Sequence, residues 1–452
     1  MKLKLSDIAA CLGVKTDKEA IITSVSTDTR KITEGCLFIC LKGERFDAHD
    51  FIPQAVENGA AAVVSEKEVE CAVPVLKVES THKALLDIAR MYRETFDIPV
   101  VGLTGSVGKT TTKEMIYSVL SEKYNTLKTQ GNLNNEIGLP TTLFSLDEKT
   151  EAAVIEMGMN HFGEISRLTN TCKPTMAVIT NIGVSHIEFL GSRDGILKAK
   201  CEIFEGLKKG SFAALNGDDD KLITVKKDDY KILHYGINNK ENDVLARDIT
   251  QNGESTSFTV SFNNKEQKVT IPTVGLHNVY DALAAFTVGV CFDIKPEKIA
   301  EGLSKYVSAG MRQRIKNVNG ITVVEDCYNA SPDSQKAAVD TLLALNGKRK
   351  IAVLGDMLEL GEKSKELHEE VGRYVSEKGI DMLLTYGEQS QFTAKAVTNG
   401  KTVCHSFSDK GELTKKLLET LEKDDVVLFK ASRGMKLEEV INNLYGEWNY
   451  NE

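Results

Sequence analysis

A lysine and a threonine closing a glycine turn can hold phosphate when a buried strand precedes the turn and a helix follows it. Residues 97–120, DIPVVGLTGSVGKTTTKEMIYSVL, have that arrangement. Ile98 to Leu103 is an apolar, valine-bearing run that reads as a buried parallel strand. From Lys109 onward come helix formers, with Met115, Ile116, Val119 and Leu120 on one face. Between them lie Gly105, Ser106, Val107, Gly108, Lys109, Thr110 and Thr111. Glycines there let backbone N–H groups converge on one oxyanion, and the helix N-terminus adds positive potential. Lys109 would reach the β- and γ-phosphates, and the Thr110 hydroxyl could ligate Mg2+. The general pattern has glycine where this chain has Leu103, so the motif is a shorter form. A plain glycine turn with a solvated Lys109 is the competing reading, and the strand and helix context favours phosphate.

Other candidates are weaker one by one. Glu156 lies near the carboxyl end of an apolar run, Ala152 to Met157, where strand ends of an open α/β sheet gather. A carboxylate there suits Mg2+ bridging phosphates; an acid facing solvent is the bland alternative. Asn134 and Asn135, in GNLNNEIGLP, can cap the following helix or hold a polar substrate. His186, after a strand and a glycine turn, reads as a hydrogen-bonded loop histidine, with metal ligation as the minority reading. Lys200 on a helix is by default solvated or snorkelling. His277 and Asn278, at a helix start, are by default caps. Asp326 ends a strand ahead of Tyr328-Asn329-Ala330-Ser331-Pro332, and an acid so placed can bind a ribose hydroxyl.

These residues need several elements to position them. A chain of 452 residues exceeds one core. Residues 1–95 read as a small α/β unit, residues 96–310 as the largest unit, and residues 311–452 as a second doubly wound parallel sheet. Within the middle unit, residues 243–274 alternate in polarity like a β meander. A net charge of −9 argues against a nucleic-acid surface, so an anion must be held by local groups. Nine scattered cysteines without a C-x-x-C pair read as free thiols in a reducing compartment. The N-terminus is no convincing signal peptide, and no apolar run approaches a membrane span, so the expected location is the cytoplasm.

Taken together, the motifs resemble the Mur ligases of peptidoglycan precursor synthesis along essentially the whole chain. They run in order: TGSVGKTT (104–111), GNLNNEIGLP (131–140), EMGMNHFGEI (156–165), NIGVSH (181–186), KAKCEIF (198–204) and GLHNVYDALAA (275–285). GMRQR (310–314), EDCYNASPDS (325–334), LGDMLELG (354–361) and KASRGMKLEEV (430–440) continue the series. STDTR (26–30) and GCLFICLKGERFDAHDF (35–51) resemble the nucleotide-sugar domain of the dipeptide-adding branch.

The resemblance implies an α/β enzyme of three domains: a small N-terminal UDP-sugar domain, a central P-loop ATPase-like parallel-sheet domain and a C-terminal Rossmann-like domain. It implies an ATP- and Mg2+-dependent ligase, expected to be monomeric, that joins D-alanyl-D-alanine to a UDP-MurNAc-tripeptide through an acyl phosphate. It assigns ATP to the 105–111 loop with Asn278, Arg312 and Asp326. It assigns metal to Thr110, Glu156, His186 and a carbamylated Lys200, in the A-K-x-x-[IL]-F pattern. The nucleotide-sugar falls to Thr27, Thr29 and Arg30, with Asn134, Asn135, Asn329, Ser432 and Arg433 as further substrate contacts. One departure stands out: the family helix is commonly H-N-x-x-N, and here the last position is Asp281. That makes Asn278 the better adenine contact and leaves Asp281 in doubt.

A sibling ligase of the folylpolyglutamate type should lack LGDMLELG and YNASP. A nucleotide switch needs Asn-Lys-x-Asp, and Asn264-Lys265-Glu266-Gln267 lacks the acid.

Overall fold

The computed structural model describes residues 1–43 and 46–450. Glu44 and Arg45, inside the 35–51 motif, lie outside the described residues.

Short apolar runs build parallel strands here because both faces of each sheet are covered. In the central sheet of nine strands, Val101 and Leu103 point to one core and Val100 to the other. The first core is closed by Met115, Ile116 and Val119 of the helix Lys109–Leu120 and by the helix Leu276–Cys291. The second is closed by Ile165 and Leu168 of the helix Glu164–Cys172. From one edge the strands run Thr126–Lys128, Ala152–Glu156, Val100–Thr104, Met176–Ile179, Phe212–Asn216, Lys231–Gly236 and Val244–Asn252, all parallel. The region of alternating polarity forms the antiparallel strands Val244–Asn252, Ser255–Phe262 and Lys265–Ile271. It is no separate layer; it extends the edge of this sheet.

Preceding this unit, four parallel strands, Ser24–Ser26, Cys36–Ile39, Ala60–Ser65 and Val75–Lys77, make a small sheet. The helix Thr81–Arg93 closes it with Ala84, Leu85 and Ile88. Ala89 and Tyr92 of the same helix pack into the core of the central sheet, and the Tyr92 hydroxyl donates to the Leu146 carbonyl at 2.6 Å.

In the C-terminal unit the order is Arg314–Val318, Ile321–Asp326, Val426–Lys430, Lys350–Gly355, Met382–Tyr386 and Val403–Phe407. Five strands are parallel, with cores on both faces, but Arg314–Val318 pairs antiparallel with Ile321–Asp326. The sheet is therefore mixed, not wholly parallel. Gly320, at φ +74, makes the tight turn that this edge strand requires.

Candidate active site

The carboxyl ends of the central strands face a cavity of about 350 Å3. Its wall combines residues 106–111 with Asn134, Asn135, Glu156, His186, His277 and Asp281. Arg312, Asp326, Asn329 and Lys430 complete it from the linker and the C-terminal sheet.

The loop is shaped by close approach. A Cβ at Gly105 would lie 1.8 Å from the Thr180 Oγ1, and one at Gly108, at φ +85, 2.5 Å from the Asp281 Oδ1. Asn181 braces the loop from beneath. Its Oδ1 accepts from the Val107 N–H at 3.0 Å, and its amide donates to the Val107 carbonyl at 2.9 Å. The half-buried Lys109 folds back, donating to the Gly105 carbonyl at 2.8 Å. Burial lowers its pKa, with the Glu156 charge opposing that shift.

Glu156 is 1 % exposed yet lines the cavity. Its Oε2 accepts from the Thr110 hydroxyl at 3.1 Å, and its Oε1 from the Asn134 amide at 2.8 Å. Lys113, fully buried on the loop's helix, stands 3.7 Å from that Oε2 and 3.2 Å from the Glu114 Oε1. Lys128 closes the row against the other Glu114 oxygen. Four buried or half-buried charges thus alternate in sign up to Glu156. Among the described residues no three His, Cys, Asp or Glu side chains form a ready metal cage. A hydroxyl beside a single oriented carboxylate fits Mg2+, which keeps water and substrate phosphate oxygens as its other ligands.

The two asparagines divide the roles left open above. Asn134 orients Glu156, whereas the Asn135 Oδ1 accepts from the Gly138 N–H at 2.8 Å and fixes the start of the helix Gly138–Leu143.

Neither His277 nor Asn278 caps its helix, since Gly275 occupies the N-cap and no side chain bonds there. The Asn278 amide is spent on the Val274 carbonyl and the Gln313 Oε1, each at 2.6 Å, and Asn278 does not line the cavity. Asp281, doubtful by sequence, does line it, with His277.

His186, at φ +61, lines the cavity, but its Nδ1 lies 2.7 Å from the Glu359 Oε2 of the C-terminal unit. This close contact with His186 holds the Glu359 carboxyl below its ordinary value. Lys200 is 2 % exposed and does not line the cavity. Burial, then the Lys109 charge, pushes its pKa far down.

On the far wall, Lys430 donates to the Asp326 Oδ2 at 2.7 Å, and the Arg312 guanidinium stacks 4.1 Å from the Tyr328 ring centre. Sequence reasoning passed over Lys430, although the KASRG string carries it. Ser432 is no wall residue: it is buried, accepting from the Leu358 N–H at 3.0 Å and facing the Ala330 carbonyl. Arg433 is exposed and pairs with Glu438 at 2.8 Å. Thr27, Thr29 and Arg30 follow the strand Ser24–Ser26, outside this cavity, with Arg30 paired to Asp28 at 2.8 Å.

A brace of parallel-strand ends, a phosphate loop with an oriented carboxylate, and basic groups from the linker and a second sheet define an enzyme that works on a nucleoside triphosphate. Comparison with known proteins carries this further. Residues 21–93 match the Mur ligase family catalytic domain, 103–289 the Mur ligase middle domain and 311–433 the Mur ligase glutamate ligase domain. A Bacillus subtilis (strain 168) protein, UDP-N-acetylmuramoyl-tripeptide–D-alanyl-D-alanine ligase, is 43% identical over 434 residues, 94% of each chain. The crystal structure of MurF from Acinetobacter baumannii superposes with a TM-score of 0.91 at 32% identity, covering 99% of both chains. MurF from Thermotoga maritima, solved in complex with ADP, gives 0.87 at 30% identity, over 95% of this chain and 98% of that one. The chain belongs to the Mur ligase family. It is an ATP-dependent ligase.

Proposed function

We propose that this enzyme joins D-alanyl-D-alanine to UDP-N-acetylmuramoyl-tripeptide, with ATP converted to ADP and phosphate. The observation that carries this reading is the 43% identity, over 94% of the chain, to a ligase named for that reaction. The site chemistry supports it. A carboxylate is a poor electrophile, and its charge repels the incoming amine. Transfer of the γ-phosphoryl to the tripeptide carboxylate removes both obstacles. The amine nitrogen then attacks the acyl carbon, the amide bond forms, a proton leaves the nitrogen and phosphate departs. The protein's contribution is positioning and charge neutralisation.

In this scheme Lys109 gives up the Gly105 carbonyl for the β- and γ-phosphates. Thr110 and Glu156 hold Mg2+, which when bound neutralises charge on phosphate oxygens. Asn134 and Lys113 keep the Glu156 carboxylate in place. Lys430, Arg312 and Asp326 approach from the C-terminal side, and Asn329 stands where a dipeptide would enter. Thr27, Thr29 and Arg30 serve the UDP end. His186 and a carbamylated Lys200 would serve a second Mg2+.

Residues 1–95, 96–310 and 311–452 are the corresponding substrate, ATP and dipeptide domains. No helix among the described residues is long and apolar enough to cross a membrane. The reading places a monomer in the cytoplasm, with no nucleic-acid partner. Phosphate release with UDP-MurNAc-tripeptide and ATP tests the assignment. Turnover should require D-alanyl-D-alanine; equal turnover with a single amino acid would reassign the chain to a sibling ligase.

A further inference from the structure

Asp281 is a buried acid in a cavity built for anions, and the scheme above gives it no task. It is 5 % exposed. The Thr112 hydroxyl donates to its Oδ1 at 2.6 Å, the one hydrogen bond it receives among the described residues. That same oxygen lies directly under Gly108 of the phosphate loop, where a Cβ would come within 2.5 Å of it. The ionisable groups facing it are few. Arg312 comes from the linker, Tyr235 from the strand Lys231–Gly236, and Tyr306 from just beyond the helix Pro296–Ser304. No cation is paired with it among the described residues. An ionised Asp281 would therefore add a negative charge where the loop gathers phosphates. Repulsion over several ångströms in such surroundings is worth about ten- to a hundredfold in affinity.

We propose that nucleotide binds the form of the enzyme in which Asp281 carries a proton, so that this residue sets how nucleotide affinity depends on pH. The inference rests on the phosphate loop being the nucleotide site. Burial supports it by pushing the Asp281 carboxyl up to about 7, against the weaker downward pull of Thr112 and Arg312. The Thr112 bond engages Oδ1 and leaves Oδ2 to hold the proton. Below pH 7 the acid is neutral and affinity is full. Above pH 7 the ionised fraction grows and affinity falls, and bound phosphates, by raising the carboxyl's pKa further, draw a proton in.

Asparagine at this position keeps the acceptor for Thr112 and is permanently neutral, so Asp281→Asn mimics the protonated acid. The test is calorimetric titration of the full chain with ADP, without divalent metal, from pH 6.5 to 8.5. Two buffers of different ionisation enthalpy report proton uptake. Wild type should lose at least about fivefold in affinity across the range, beyond the titration of ADP itself, and take up a proton near pH 7.5. Asp281→Asn should vary only with the titration of ADP itself and bind at least about sevenfold tighter than wild type at pH 8.5. Parallel profiles for the two proteins would overturn the proposal. So would the absence of proton uptake by wild type, which needs no variant. If ADP bound neither protein at any pH, the nucleotide site itself would be misassigned.

Discussion

Lys200 gives the sharpest test of the proposed metal chemistry. A lysine ammonium has donors and no lone pair, so it cannot ligate a cation. Its neutral amine can attack CO2, forming an N–C bond and releasing a proton, which leaves an anionic carbamate with two oxygens. The structure favours the neutral amine: Lys200 is 2 % exposed, and burial plus the Lys109 charge push its pKa far down. Removing one prearranged charge-stabilising group costs about 3 to 4 kcal/mol, or about 10²- to 10³-fold in rate. Lys200→Ala should therefore lose at least about 10²-fold in kcat. A short-chain carboxylic acid, diffusing into the vacated space, should restore part of it.

Lys198 is the internal control. It is exposed, with its Nζ 5.7 Å from the Phe162 ring centre. Such a cation–π contact is worth about 0.5 to 1 kcal/mol, so Lys198→Ala should change the rate by about fivefold at most. The assay is phosphate release at saturating ATP, with and without added acid. Full activity of Lys200→Ala would refute the reasoning. So would a crystal structure with nucleotide and magnesium in which Lys200 is unmodified and turned from the metal.

Three further outcomes are expected. Lys109→Ala should slow turnover at least about 10²-fold, on the order of 3 kcal/mol, because it removes a charge from the transferring phosphoryl group; activity within a few-fold of wild type would undo the loop assignment. Lys113→Met leaves Glu114 and Glu156 short of a buried counter-charge and should destabilise the fold by about 3 to 5 kcal/mol in denaturant titration; an unchanged midpoint would show that the buried row of charges contributes nothing. Because Asp326 and Lys430 reach the cavity from a different sheet than Thr110, small-angle scattering should show a smaller radius of gyration with ATP and substrate bound, and unchanged dimensions at saturation would count against closure.

Legibility followed the physics of each signal. The strand, loop and helix around Lys109 were readable because all three combine short-range patterns: an apolar run, glycines and a helical face. The edge strand Arg314–Val318 escaped notice because five residues with two cations among apolar positions carry too little periodicity. Of Asn278, read as the better adenine contact, and Asp281, left in doubt, only Asp281 lines the cavity. Which of two polar side chains, three residues apart, faces a cavity depends on what packs on the helix, and here Gln313 and Val274 claim the asparagine. Lys113 looks like any solvated helical lysine in sequence; its burial comes from Glu114 and Glu156 meeting it there. Ser432, a candidate contact, proved to be a tie between two loops.

The helix Thr81–Arg93 has a consequence for how the molecule can be taken apart. Its two apolar stripes are committed to different partners, Ala84, Leu85 and Ile88 to the small sheet, Ala89 and Tyr92 to the large one. Cutting the chain on either side of it strips one partner bare: the small piece would present an uncovered aromatic stripe, or the large piece would lose a slab of its floor. The shared helix is therefore expected to couple the unfolding of the first two sheets into one cooperative step. The C-terminal core borrows only Val274, with Val184 packed against it, from the central unit among the described residues, a smaller tie than the helix gives the first two sheets.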